Sequence, residues 1–264
     1  MTETAKAKRE MTFLLAEPER RVLRWMAARV PGWLNPNHFT VLGVVGAVGC
    51  GVGYALSGRD PDWLWFASAM LVVNWFGDSL DGTLARVRKA ERPKYGYYID
   101  HVVDAFNTAV IGIGLGLSPY VRLDFALILM LVYLTLSINV YLESAVFGVF
   151  KIAYGRIGPT EARLVLIITN AVLWVSTVML PGLQNEVSFA ANAVVALMAL
   201  AMFLALVVRF GKNLHKLAKQ EPRKRWRDRH KRVEEEAARE AHPADMPERR
   251  APEPGSGGEG TGSG

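Results

Sequence analysis

The sequence predicts an all-α integral membrane protein in which an amphipathic interfacial helix precedes six transmembrane helices. The chain has 264 residues, of which 51% are hydrophobic and only 21% are charged. Its apolar residues come in long blocks without Asp, Glu, Lys or Arg, and about 20 such residues span a bilayer core. The blocks lack the polar face that a helix of a soluble protein carries. The charge-free runs are residues 39–58, 63–77, 105–121, 125–142, 164–185 and 187–208.

The first predicted element is the interfacial helix, at residues 8–30. This segment alternates charged residues with apolar ones such as Trp25, which is typical of a helix lying along the cytoplasmic membrane surface. The sequence NPNHFT at 35–40 then leads into the first span, and we expect Thr40 or Asn37 to cap that helix.

The later spans follow from the charge-free runs and their polar ends. We expect spans two to six at residues 63–86, 95–117, 123–150, 161–180 and 188–210. A basic then acidic helix-prone segment follows, and the end of the chain is rich in Pro, Gly and Glu, which is typical of disorder. The predicted parts are a cytoplasmic interfacial segment, a transmembrane catalytic domain, a helix-prone cytoplasmic segment and a disordered tail, at 1–34, 35–210, 211–240 and 241–264.

The basic residues predict the orientation. Counted alternately along the chain, one side of the membrane holds 29 of the 31 Lys and Arg residues, and the other holds only Arg59 and Arg122. The positive-inside rule predicts that the side rich in Lys and Arg, and with it both termini, faces the cytoplasm. We expect the membrane to be a bacterial plasma membrane. The net charge of +6 suits a surface that faces anionic lipid. A nucleic-acid partner is not expected, because the basic residues lie close to the transmembrane ends.

Four aspartates stand at the cytoplasmic ends of spans two and three. Measured from the outer ends of the spans, Asp78, Asp81, Asp104 and Asp100 lie roughly 24, 28, 22 and 28 Å inward. They therefore reach one level, near the inner boundary of the bilayer core. The spacings i,i+3 and i,i+4 place each pair on one helix face, so the two pairs form one acidic cup.

Such a cup is expected to hold cations, because four close carboxylates cannot all remain ionised without compensation. Hard oxygen ligands suit Mg²⁺, Mn²⁺ or Ca²⁺, and two ions bridged by shared carboxylates are typical of phosphoryl transfer. Gly82 and Ala85 are small enough to admit a flat ligand, Arg86 can reach a phosphate, and Gly96 leaves the start of span three open.

Two other classes of protein are alternatives. A transporter or ion-coupled carrier would use the acids as a relay, but a relay needs acids at successive depths and these share one level. An inactive membrane scaffold would be expected to have lost at least one aspartate, and all four are present.

The acids belong to a longer pattern of aspartates, small residues and an arginine, Asp78-x2-Asp81-Gly82-x2-Ala85-Arg86 and Gly96-x3-Asp100-x3-Asp104. This pattern resembles the signature of the CDP-alcohol phosphotransferase family, which also has an interfacial helix and six membrane helices, so the resemblance covers about residues 10–210. Nine residues separate Arg86 from Gly96 here, whereas eight is the commonest spacing in the family. We expect the extra residue to change the loop without disturbing the aspartates.

The resemblance implies a role for each matching residue and a reaction in phospholipid biosynthesis. An acceptor hydroxyl attacks the phosphorus of a CDP-linked donor and releases CMP, with Mg²⁺ or Mn²⁺, as two ions, offsetting the pyrophosphate charge. Asp104 contacts the second ion and is the general base. The other implied metal ligands are Asp78, Asp81 and Asp100. The implied contacts of the CDP group are Gly82, Ala85, Arg86 and Gly96. The resemblance also implies a homodimer.

The sequence leaves the substrate pair open. Either CDP-diacylglycerol is the donor and a polar alcohol or its phosphate attacks, or a CDP-linked headgroup is the donor and diacylglycerol attacks. The segments DHVVD at 100–104 and GPTEAR at 158–163 resemble the choline and ethanolamine branch, whereas nearby cations favour an anionic acceptor. The candidate acceptor-site residues are His101, Asn139 and Glu143. Glu143 either orients an acceptor hydroxyl or pairs with an arginine. Cations that could bind substrate phosphate or lipid headgroups are Arg88, Lys89, Arg92, Lys94, Lys151, Arg156 and Arg163.

Overall fold

A computed structural model describes residues 16–147, 159–221, 231 and 233–237, and all regular structure among them is helical. A short 3₁₀ helix, Pro181–Leu183, precedes the last long helix. The seven α-helices, numbered α1 to α7 in chain order, are Ala16–Ala27, Pro36–Leu56, Trp63–Val87, Pro93–Gly116, Leu123–Phe147, Pro159–Val178 and Gln184–Gln220.

The interfacial helix that the sequence predicts at 8–30 corresponds to α1, which the structure describes only from Ala16 to Ala27. Its Leu23 and Ala27 are buried in one cluster with Phe39 of α2 and Leu80 of α3, while Trp25 is 59% exposed. The helix is therefore amphipathic, with one face on the helical bundle and an aromatic side chain on the other. That it lies on a membrane surface remains a prediction.

The linker between α1 and α2 is held by one side chain of α3. The guanidinium of Arg88, at the end of α3, donates hydrogen bonds to the backbone carbonyls of Val30, Pro31 and Leu34. The planar fork of an arginine can serve several carbonyls at once, which a lysine cannot do. Arg88 thus fixes the chain that leads into α2, and this contact differs from the phosphate or headgroup binding considered from the sequence.

The expected cap of α2 was wrong. The helix begins at Pro36, with Asn35 as the N-cap, and the Asn35 side chain and His38 form a reciprocal capping box. Asn37 instead donates a hydrogen bond to the Tyr95 hydroxyl, and Thr40 donates one to Asp81. The reason is that proline is favoured in the first turn of a helix, so the helix starts before either predicted residue.

α2 and α3 pack backbone to backbone along glycines. A Cβ atom on Gly77 would overlap the backbone of Gly43 and lie 2.5 Å from the Phe39 carbonyl oxygen. A Cβ atom on Gly46 would likewise meet the backbone of Asn74. Small residues permit this close approach of two helices. The contact fixes the position of α3 against α2 immediately before Asp78.

α4 lies between α2 and α5. Near its outer end, Gly114 contacts the backbone of Gly51 in α2 so closely that a Cβ atom would not fit. On its other side, a Cβ atom on Gly112 would lie 3.4 Å from the side chain of Met130, and His101 contacts Tyr141. These two contacts define the antiparallel register of α4 and α5.

Four helices have the length and apolar composition of membrane spans, namely α2, α5, α7 and residues Thr160–Val178 of α6. The described chain is thus that of an α-helical integral membrane protein. α3 and α4 have 25 and 24 residues, which is long enough, but they carry the charged candidate site residues. Six spans therefore remain a prediction.

α7 is longer than the span predicted at 188–210. It begins at Gln184 and continues to Gln220, so helix extends into the segment assigned to the cytoplasm from 211 onward. The chain divides into two compact units at Asn213, and the candidate site lies in the first unit. Of the second unit the structure describes the end of α7 and helical residues at 233–237, while the predicted disordered tail at 241–264 lies outside the described residues.

Candidate metal and nucleotide site

Three aspartates from two helices meet where the second half of α3 packs beside the first half of α4. Carboxylate oxygens of Asp78, Asp100 and Asp104 lie within 4.8 Å of one another. Asp78 and Asp104 are half-buried and Asp100 is exposed. We call these three residues the acidic triad. The structure thus brings together three of the four predicted aspartates, one from α3 and both from α4.

Asp81 lies outside the triad because its carboxylate is already held by hydrogen bonds. The Thr40 hydroxyl donates to Oδ2 over 2.7 Å, and the backbone N–H of Gly82 donates to Oδ1. Each carboxylate oxygen still has a lone pair for another partner. Asp81 therefore links α2 to the site while keeping the capacity to bind a cation.

Asp78 is paired with a cation from α6. Arg163 donates a hydrogen bond from Nη2 to Asp78 Oδ2 over 2.8 Å and one from Nε to Asn74 Oδ1 over 3.1 Å. Asn74 in turn donates to the Gly43 carbonyl over 2.9 Å. Both charged side chains of the pair are about one-fifth exposed, at 17% for Arg163 and 22% for Asp78. The pair is thus shielded from water, and one end of the triad has a fixed positive charge beside it.

Two of these residues were not singled out from the sequence for this role. Asn74 was not predicted as a site residue, although it is the one amide in the run 63–77 and stands one turn before Asp78. Arg163 was predicted only as one of several cations that could meet phosphate. The signal that could have distinguished Arg163 from the other cations was its place near the start of a predicted span, where a charged side chain needs a partner.

The residues predicted to contact a nucleotide lie beside the triad on the exposed ends of α3 and α4. Arg86 folds back along its helix, so that its guanidinium lies 3.4 Å from where a Cβ atom on Gly82 would be, and it donates to Thr83 Oγ1. A Cβ atom on Gly96 would meet nothing within 4 Å, so this glycine faces open space. Ala85 is half-buried.

The three candidate acceptor residues lie on α4 and α5. His101 packs against the rings of Tyr97 and Tyr141, with centroids 4.1 and 4.0 Å apart, and its Nδ1 is 3.8 Å from Asp100 Oδ2. Of the two alternatives for Glu143, the structure has the ion pair, because Arg209 of α7 donates a hydrogen bond to its carboxylate.

Two buried amides near the triad carry an oxygen without a protein partner in the described part of the chain. The Oδ1 atom of Asn139, in α5, is buried and has no such hydrogen-bond partner. The same holds for Oδ1 of Asn107, which is one turn further along α4 than Asp104. Buried polar atoms are normally hydrogen-bonded, so these oxygens can accept from a ligand hydroxyl or from water.

The other predicted cations differ in their surroundings. Lys89, Arg92 and Lys94 are exposed, and the Arg92 guanidinium lies 4.0 Å from the centroid of the Tyr95 ring. Lys151 and Arg156 lie outside the described residues. Within the described part of the chain, no ion pair joins Lys89, Arg92 or Lys94 to the triad, in contrast to Arg163.

The triad has the donor chemistry that a divalent cation requires. It offers oxygen ligands only, and three carboxylates so close together repel one another unless a cation lies among them. The single guanidinium on Asp78 compensates one of these charges. The residues present therefore fit Mg²⁺ or Mn²⁺, both of which prefer carboxylate oxygens.

Comparison with known proteins agrees with this chemistry. The family model for CDP-alcohol phosphatidyltransferase matches residues 33–211, which is more than half of the chain. The protein therefore belongs to the CDP-alcohol phosphatidyltransferase family, and the resemblance inferred from the aspartate pattern is confirmed.

Two curated proteins are similar to this chain over part of its length. The chain is 24% identical over 213 residues to cholinephosphotransferase 1 of Gallus gallus, an alignment that covers 73% of this chain and 61% of the relative. It is 32% identical over 84 residues to phosphatidylinositol phosphate synthase of Cutibacterium acnes, covering 32% of this chain and 38% of the relative. The chain thus aligns with less than two thirds of the length of either relative.

Proposed function

We propose that this protein is a divalent-metal-dependent CDP-alcohol phosphotransferase of phospholipid biosynthesis. The observation that carries the proposal is the acidic triad, in which aspartates from two helices of a family-matched domain come within 4.8 Å. A transporter or ion-coupled carrier is not favoured, because the acids gather at one level and the family match concerns transferases.

In this proposal the triad and Asp81 hold two ions, Mg²⁺ or Mn²⁺. When bound, the ions supply positive charge that offsets the negative charge of the donor pyrophosphate. Arg163 keeps the Asp78 carboxylate in place, and Thr40 does the same for Asp81. Asp81 is therefore ordered before any ion arrives, which reduces the entropy cost of binding, whereas the Asp78 carboxylate has to be shared between Arg163 and an ion.

The chain's own residues bind the CDP group and accept the proton of the acceptor hydroxyl. Arg86, Gly82, Ala85 and Gly96 bind the CDP group, and the exposure of Arg86 and Gly96 supports access from the aqueous side. Asp104 accepts the proton of the acceptor hydroxyl while the hydroxyl oxygen attacks the donor phosphorus. The bond from phosphorus to the CMP oxygen breaks, and CMP leaves with the bonding electron pair.

The acceptor site is proposed to lie between α4 and α5. Because His101 contacts Tyr141 and Gly112 faces Met130, Asn139 falls within about one turn of Asp104 along the α4–α5 interface. Its buried, unpartnered oxygen would accept a hydrogen bond from an acceptor hydroxyl. His101 would border the same space, and Glu143 would act through its pair with Arg209.

The membrane arrangement is part of the proposal. Six spans, α2 to α7, would place both termini and the site on the cytoplasmic side, with α1 on the membrane surface. α3 and α4 would each rise roughly 36 Å, enough to cross a core about 30 Å thick. Polar CDP compounds would then reach the site from water while acyl chains remain in lipid. A homodimer is proposed from the family alone.

The test uses the purified protein in detergent micelles or nanodiscs with Mg²⁺ or Mn²⁺. CMP release is measured with CDP-diacylglycerol and a panel of polar alcohols and their phosphates, and separately with CDP-choline or CDP-ethanolamine and diacylglycerol. One of the two donor classes is expected to give CMP, and removal of the metal by a chelator should abolish it.

The general base is tested by Asp104→Asn, which keeps the size of the side chain and removes its basicity. Turnover is expected to fall about 100- to 10,000-fold, the usual contribution of general base catalysis. The control is Asp124→Asn, because Asp124 is an exposed acid at the start of α5 that pairs with Arg122. Wild-type turnover by the Asp104 variant would refute the assignment.

A further inference from the structure

Glu19 of α1 joins three helices through one carboxylate oxygen. Its Oε1 accepts hydrogen bonds from Trp75 Nε1 over 2.8 Å and from Ser79 Oγ over 3.3 Å, both in α3. The same oxygen accepts one from Thr160 Oγ1 of α6 over 2.9 Å. Glu19 is half-buried, and a charged acceptor makes stronger hydrogen bonds than a neutral one.

The donors to Glu19 lie close in the chain to Asp78 and to the residues of its network, Asn74 and Arg163. Trp75 follows Asn74, and Ser79 follows Asp78. Thr160 stands one helical turn before Arg163, the residue that pairs with Asp78. The contact between α3 and α6 thus has two layers, an inner one through Arg163 and an outer one through Glu19.

This arrangement has a consequence for the charge of the triad. Arg163 reaches Asp78 from the first turns of α6, and among the described residues Thr160 connects that part of α6 to α1. If Glu19 were absent, the outer layer would lose its common acceptor, and Thr160 would no longer tie the start of α6 to α1. Arg163 would then spend less time on Asp78.

We propose that Glu19 is a positioning residue that holds Arg163 on Asp78 and so limits how tightly the acidic triad binds a divalent cation. The inference rests on the proposed function, because it takes the triad as the metal site. A guanidinium on Asp78 competes with the metal for that carboxylate and repels it, so a firmer Arg163 contact means weaker metal binding.

The experiment measures Mn²⁺ binding to the full chain in nanodiscs by electron paramagnetic resonance, without substrate. Arg163→Ala is expected to lower the Mn²⁺ dissociation constant about tenfold, because it removes the positive charge beside Asp78. Glu19→Ala is expected to lower it about threefold to tenfold, because Arg163 then occupies Asp78 for less of the time. The double variant should bind no more tightly than Arg163→Ala alone, since Glu19 acts through Arg163. Glu17→Gln, an exposed acid on the same helix, is the control and should not differ from wild type.

The direction of the effect separates positioning from general damage. A variant that merely loosens the fold would bind Mn²⁺ more weakly, so weaker or unchanged binding by Glu19→Ala would overturn the inference. Additive effects of the two substitutions would overturn it as well. Thr160→Val is a milder test, because it removes only the donor on α6 and keeps the side-chain shape, and it should also tighten binding.

The inference and the proposed function fail in different ways. Absence of Mn²⁺ binding by the wild-type chain would refute the triad as a metal site, and the role of Glu19 with it. Wild-type binding that Glu19→Ala leaves unchanged would refute the role of Glu19 alone. Glu19→Gln keeps an acceptor oxygen for the three donors and should bind Mn²⁺ with an affinity closer to wild type than Glu19→Ala does; equally tight binding by the two variants would refute the role of Glu19 as the common acceptor.

Discussion

The contact of α2 with α3 predicts a large effect of a single methyl group at Gly77. In Gly77→Ala the new Cβ atom would lie 2.7 Å from Gly43 Cα and 2.5 Å from the Phe39 carbonyl oxygen. Non-bonded carbon atoms are most stable at about 3.5–4.0 Å, so the two helices must separate by roughly 1 Å. All these neighbours are backbone atoms, which cannot turn aside as a side chain can.

The separation has a cost that follows from the same geometry. Overpacking costs about 1–3 kcal/mol. Moving the Thr40 hydroxyl roughly 1 Å from the Asp81 carboxylate would break a bond of 2.7 Å to a charged acceptor, for about 1.5–3 kcal/mol. The helix preference of alanine over glycine returns about 1 kcal/mol. We expect a net loss of about 3 kcal/mol in the free energy of unfolding.

The assay is unfolding in mixed detergent micelles, with Mn²⁺ affinity as a second measurement because Asp78 follows Gly77 directly. The matched control is Gly49→Ala in α2, where the new Cβ atom would meet only the flexible side chain of Met70, with its Sδ at 2.7 Å. We expect the control to remain close to wild type. If Gly77→Ala is as stable as Gly49→Ala and binds Mn²⁺ equally well, the backbone contact does not position the site.

Two further predictions concern side chains that tie helices together away from the triad. Arg88→Lys should lower the free energy of unfolding by about 1–3 kcal/mol, because an ammonium group cannot replace the guanidinium that serves three backbone carbonyls of the α1–α2 linker. Limited proteolysis should cleave the linker faster in this variant, and an unchanged cleavage rate would contradict the prediction. Tyr54→Phe removes the hydroxyl that donates to the buried Asn170 Oδ1 over 3.0 Å, and should cost about 1–3 kcal/mol in micelle unfolding. Tyr98→Phe, at a 72% exposed position, is the control and should have little effect.

The sequence predicted most of the helices because their signals are local. From the long apolar runs and their polar ends, α3 was predicted to begin at Trp63 and α5 at Leu123, and the structure confirms both. Helix ends were less accurate, since α4 begins at Pro93 and not at the predicted residue 95. The span predicted to end at 210 continues as α7 to Gln220, into the segment that the sequence predicts to be helix-prone.

The part of the candidate site that depends on spacing within one helix was predictable from the sequence. Residues i and i+4 share a helix face, so Asp100 and Asp104 were expected on one side of α4. Their predicted depth in the membrane was the same as that of the aspartates in α3. The partners of each carboxylate could not be predicted in the same way. Glu143 with Arg209, and Asp78 with Arg163, are 66 and 85 residues apart in the chain, and no local pattern selects one arginine among many.

By itself the sequence determined the class of protein and the helical content, because hydrophobic length and helical period are properties of short segments. Of the four aspartates predicted to come together, the structure gathers Asp78, Asp100 and Asp104. The tertiary structure decided which cation neutralises Asp78, that Asp81 is held by Thr40, and that Glu19 joins α1 to α3 and α6. These contacts depend on how closely helices approach, and that approach is set by backbone contacts such as Gly77 on Gly43. The physical reason is that a buried charge takes whichever partner the packing brings within hydrogen-bonding distance, and packing is a property of the whole bundle.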